Sequence, residues 1–69
     1  MNRMDLLLSD LATLWRVAQQ NGNWYKVEDF CDGAAAAFRA AGLDGHAEDF
    51  RFLASIALKR GFLHVLEAA

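Results

Sequence analysis

The sequence predicts an all-α fold: a small antiparallel bundle of three helices, with a short fourth at the end, completed by dimerisation. Three observations predict it. Alanine and leucine, both strong helix formers, occur 13 and 10 times, whereas Val, Ile and Thr together occur five times. Proline is absent, and glycine supplies most of the punctuation. Apolar residues recur at spacings of three and four along three successive stretches, which is the period of a one-sided helix. With 69 residues and 7.7 kDa, residues 1–69 make one domain at most. A chain this short buries only about 60% of its unfolded surface, so its own core is marginal.

The first helix is expected over residues 3–20. Met4, Leu7, Leu11, Leu14 and Ala18 form its stripe, and Leu8 and Trp15 widen it. Asn2 caps the start, and Asn21-Gly22 supplies a left-handed stop. Leu6 and Val17 fall outside the stripe. The second helix is expected over residues 24–41 with Asn23 as cap and Val27, Phe30, Ala34, Phe38 and Ala41 on one side. Glu28 and Asp29 come early and Arg39 late, the order that suits the helix dipole. Gly42 is the terminating residue, with Phe38 and Leu43 at the two touching positions of a Schellman stop. The third helix is expected from Gly45, capped by Asp44, to Arg60-Gly61, with Phe50, Leu53, Ala54, Ala57 and Leu58 as its stripe. A short final turn or helix covers residues 62–67. Glu28-Asp29-Phe30 and Glu48-Asp49-Phe50 repeat at an offset of 20, which two packed helices with similar stripes explain without duplication.

Composition excludes several function classes. A single cysteine provides neither a disulfide framework nor a cysteine-built zinc site within one chain. A formal charge of −2 argues against a nucleic-acid binder. No apolar run is long enough for a signal peptide or a membrane span, and a free thiol fits a reducing compartment, so the expected location is cytoplasmic. His46 and His64 share no metal motif, and neither GxGxxG nor GxxxxGK[ST] appears. The negative charge around Cys31 opposes thiolate formation, so Cys31 is expected in the core. Each Glu-Asp pair stands in a first turn, where the dipole accounts for it. No catalytic residue, cofactor or metal is expected, and the chain is not expected to be an enzyme.

Two helical resemblances bear on function. Phe50, Leu53, Ala54, Ala57 and Gly61 fall at intervals similar to the first helix of a tetratricopeptide repeat, and Gly22-Asn23-Trp24 with Ala34 resembles the junction and second helix of another. The two units are further apart than the repeat's length of about 34 residues, and Trp15 stands where a small residue is expected. The spacing therefore supports packed antiparallel helices and does not identify the family. Residues 38–53 have the outline of a helix-turn-helix, but Glu48 and Asp49 would face phosphates at the start of the recognition helix.

One stripe per helix does not absorb all the hydrophobicity, which is 55% of the chain. Leu6, Val17, Trp24, Tyr25, Phe52 and Ile56 are left over. Phe52 and Ile56 lie on the far flank of the third helix; they belong either to the second face of a central helix or to a surface covered by another chain. The second alternative is favoured, because aromatics and arginine concentrate at binding hot spots and Trp24, Tyr25, Arg51 and Phe52 fit that profile. Charge is segregated as well. Residues 28–49 hold six acids and one base, whereas residues 51–66 hold three bases and no acid. The expected function is a small protein-binding module, such as an inhibitor, anti-activator, chaperone or adaptor, whose interaction residues are Leu6, Val17, Trp24, Tyr25, Arg51, Phe52 and Ile56. In size and lack of chemistry it is similar to the small helical inhibitors that phages and other mobile elements encode against host proteins. The expected partners are a second copy and another protein, with no nucleic acid and no membrane. The alternative is a helix-turn-helix DNA-binding regulator.

Overall fold

A computed structural model describes residues 2–68; Met1 and Ala69, the ends of the expected domain, lie outside the described residues. The protein is a small all-α bundle of three helices: α1 (Arg3–Asn21), α2 (Tyr25–Ala40) and α3 (Asp44–Ala68). Their ends follow local chemistry. The Asn2 side-chain oxygen accepts from the Asp5 N–H at 2.8 Å and caps α1. Gly22 closes it at φ 75°, where a side chain would be strained, and its N–H donates to the Ala18 carbonyl at 2.7 Å. At the end of α2 the Leu43 N–H donates to the Phe38 carbonyl at 2.8 Å and the Gly42 N–H to the Arg39 carbonyl at 3.0 Å, with Gly42 at φ 77°. Those are the two bonds of the expected Schellman stop.

Some expected details are corrected. Asn23 does not cap α2. Its own N–H donates to the Asn21 side chain at 2.8 Å, and Trp24 takes the cap position without a side-chain bond. Asp44 lies in the first turn of α3, where its charge meets the dipole. Leu8 is exposed, so the buried line of α1 is narrower than its sequence stripe: Leu11 and Ala18, with Met4, Leu7, Leu14 and Trp15 half-buried. In α2 the fully buried line is Val27, Cys31 and Ala35; Phe30, Ala34 and Phe38 are half-buried and Ala41 is exposed. The line shifts because α2 is the middle helix, packed between α1 and α3.

The largest correction concerns the end of the chain. Gly61 does not stop α3, and there is no separate fourth helix: α3 runs unbroken through residues 62–68. Gly61 keeps a helical backbone, since only Gly22 and Gly42 have positive φ among the described residues. What its missing side chain provides is room. A Cβ on Gly61 would stand 3.2 Å from the Cβ of Trp24, tighter than ordinary contact. Trp24 thus settles onto α3 at Gly61 while, at the other end of the pair, Phe38 stacks on Phe50 with centroids 5.4 Å apart. Contacts at both ends make α2 and α3 an antiparallel hairpin. A helix-turn-helix pair crosses at about 90–120° and separates away from its crossing point, so residues 38–53 do not form that unit.

The α1–α2 junction is fastened to the late part of α3. Trp15 and Trp24 meet edge to face at 5.2 Å, and the Arg60 guanidinium lies 5.6 Å and 5.5 Å from their ring centres. These are cation–π distances. The His64 imidazole fills the space that a side chain at Gly22 would need. Elsewhere α1 packs on α2 alone. The three helices consequently lie nearly in one layer, with the Cα trace spanning 42 × 22 × 12 Å. The radius of gyration, 12.7 Å, exceeds the ~11 Å of a compact chain of this length.

Candidate functional site

A one-layer arrangement leaves each helix with a face that no other helix covers. On α1 and α2 that face is mostly polar. On α3 it is apolar. The side toward α2 carries Ala47, Phe50, Ala54, Ala57 and Gly61, all buried. The opposite side carries Phe52, Leu63 and Leu66, exposed, and Ile56, half-buried. Leu58, Phe62 and Val65 add exposed apolar surface on one flank. Phe52 and Phe62 are the most open, at 65% and 66%. A helix that is apolar all round is normally buried all round. Here α3 is covered on one side only.

The seven residues singled out from the sequence fall into four places. Phe52 and Ile56 lie one turn apart on the outward face of α3, and neither enters the intrachain core around α2. Arg51, their neighbour in sequence, turns toward α2 instead; with Asp32, Ala36 and Arg39 it lines a charged groove of about 260 Å³. Leu6 and Val17 are exposed on one side of α1, three turns apart, with Asp10 and Thr13 between them. Tyr25 is exposed at the start of α2. Trp24 is corrected: only 6% of it is accessible, and it belongs to the core. A residue at a helix start is buried here because α3 extends past it and Gly61 admits its ring.

Leu58, Phe62, Leu63, Val65 and Leu66 are the functional candidates that sequence reasoning did not find. Leu58 was expected in the core, and residues 62–67 were expected to be a short separate turn or helix. The signal for a continuous outward face was present, however. Phe52, Ile56, Lys59, Leu63 and Leu66 keep alternating spacings of four and three straight through Gly61. Leu58, Lys59, Phe62 and Leu63 enclose a shallow depression of about 480 Å³.

Cys31, His46 and His64 each pack against other parts of the chain. Cys31 is fully buried, as its inward position predicts, and burial together with the neighbouring Asp32 carboxylate pushes its thiol up to about 11 from 9.0. Cys31 is therefore expected to resist maleimide in the folded protein and to react stoichiometrically once unfolded. The raised pKa also sets a pH dependence. The proton is held more tightly in the folded state, so this contribution is complete below about pH 9 and is lost as pH rises toward 11. Urea melts should show a loss on the order of 2–3 kcal/mol over that window beyond any loss in Cys31→Ala. Equal slopes in the two proteins would contradict it. His46 rests against Phe38 at 5.2 Å, and His64 covers Gly22. Among the described residues, no three His, Cys, Asp or Glu side chains gather to hold a metal, and no helix is long and apolar enough to cross a membrane. No family model, curated protein or solved structure matches the chain.

Proposed function

We propose that the protein is a non-enzymatic protein-binding module that acts by occupying a surface on another protein, with the outward face of α3 as its docking face. One observation carries this: α3 is apolar on the side that nothing in the chain covers. Large exposed apolar patches on small proteins mark interaction surfaces, and Phe52, Phe62, Leu63 and Leu66 stand on one helix side interrupted only by Ser55 and Lys59. Such a helix engages a partner as a rigid strip of anchors one turn apart. Inhibitor, anti-activator, chaperone and adaptor roles all share this mode, and so do the small helical inhibitors carried by mobile elements. The cytoplasm, where a lone thiol stays reduced, is the proposed place of action. Leu6, Val17 and Tyr25 serve at most as secondary contacts, because they lie on other elements and are separated by polar side chains.

Photo-crosslinking in the producing cells tests this. A benzophenone amino acid at position 63 should give protein adducts that are absent with the same group at Gln19, an exposed site on α1. Phe52→Asp should abolish the adducts while the protein stays folded, since Phe52 lies outside the core. An adduct-free position 63 would overturn the assignment of this face.

A further inference from the structure

The outward face of α3 has a pattern that selects its own occupant. Gly45, Asp49, Phe52, Ile56, Lys59 and Leu63 recur at alternating spacings of four and three, the seam of a two-helix coiled coil. All are exposed except Ile56, which is half-buried. We propose that this seam pairs with the same seam of a second copy of the chain, with the two α3 helices antiparallel about a two-fold axis beside Ala54. In that register Phe52 faces Ile56 of the other copy, Asp49 faces Lys59, and Gly45 faces Leu63. The two-fold repeats each layer on the far side of the axis, so every contact is satisfied twice.

Charge complementarity selects this arrangement over its neighbours. A parallel pair in register would set Asp49 against Asp49 and Lys59 against Lys59, which repel. An antiparallel pair shifted by one heptad would set Lys59 against Ile56 and Asp49 against Leu66, leaving charges against hydrocarbon. Only the register centred at Ala54 matches apolar layers with apolar layers and acid with base. One polar layer in a seam fixes register in this way. The segregation of acids before Asp49 and bases after Arg51 has the same consequence, because antiparallel α3 helices bring opposite signs together. Gly45 fits as well. A Cβ there would meet no atom within 4 Å in the single chain, which leaves room for the bulk of Leu63 across the interface.

The surface ledger agrees in size. The chain exposes 4969 Å², against about 4,300 Å² for a compact monomer of its mass. The surplus, roughly 670 Å², approaches the ~800 Å² that each partner contributes to an interface of ordinary size.

Sedimentation velocity on the purified full chain, from nanomolar to about 100 μM, tests the pairing. The wild type should dimerise reversibly. Asp49→Lys and Lys59→Asp should each weaken the dimer about tenfold or more, and the double exchange should restore it. Asp49→Asn and Lys59→Gln, milder at the same sites, should weaken it in the same direction and guard against a variant that fails to fold. A wild type that stays monomeric throughout, single exchanges that leave the dimer unchanged, or a double exchange without recovery would each overturn the pairing. The pairing rests on the docking role of this face, but the two fail separately. Crosslinks from position 63 at twice the chain mass support the pairing, whereas docking on another protein requires further adducts at other masses. Crosslinks only at other masses keep the docking role and overturn the second copy as occupant. No crosslink overturns both.

Discussion

Trp24→Ala is expected to remove about 3–5 kcal/mol of stability, the usual cost of emptying a buried tryptophan site. A chain of this length is held by something like 3–10 kcal/mol in total, so the variant should be largely unfolded near 37 °C. The size follows from what Trp24 joins. It meets Trp15 of α1 edge to face, sits under the Arg60 guanidinium of α3, and closes on the bare backbone of Gly61. Removing it separates α1 from the α2–α3 hairpin at the one place where all three helices meet. Circular dichroism melts measure this directly, and Trp24→Phe should retain more of the stability than alanine does. A Trp24→Ala protein that melts with the wild type would show that the junction does not depend on this cluster. Trp24 thus reports on folding, whereas Phe52, open to solvent and outside the core, reports on docking.

Gly61→Leu carries the second large effect, a loss of about 3 kcal/mol. Its first carbon already stands 3.2 Å from the Trp24 Cβ, and the rest of the side chain has the Trp24 ring in its path. Gly61→Ala sets two effects against each other. Helix propensity favours alanine by about 1 kcal/mol, and the tight contact opposes it, so its melting point should stay near that of the wild type. A Gly61→Leu protein as stable as the wild type would mean that α2 and α3 are not in contact here. The overhanging residues 62–68 would then lose their anchor.

The elements themselves were legible in the sequence because they rest on local chemistry. Asn2, Gly22 and Gly42 mark helix ends through caps that need no tertiary information, and all three act as their residue types predict. Gly61 was misleading for a physical reason. A glycine after Lys59-Arg60 has the composition of a helix stop, and only the position of Trp24 on another helix shows that the missing side chain serves close packing instead. The same long-range contact explains Trp24, which reads as an exposed aromatic at a helix start until the extension of α3 covers it. Phe52 and Ile56 were legible as surplus because their angle from Phe50 is set by helix geometry alone. Leu63 and Leu66 carry the same spacing of four and three, but Gly61 read as a stop concealed that α3 continues and places them on that face. Arg51 was grouped with Phe52 because arginine is enriched at binding hot spots, yet adjacent helical residues point about 100° apart, and the structure turns it to the α2 groove.

The central claim is that the outward face of α3 is covered when the protein is at work. The most direct measurement is maleimide labelling of Leu63→Cys, for which the buried Cys31 leaves a silent background. In native lysate and at high protein concentration, position 63 should react severalfold more slowly than Gln19→Cys; diluted to nanomolar in buffer, the two should react alike. Equal rates at every concentration and in lysate would show a face that nothing covers, and would contradict the docking role assigned to it.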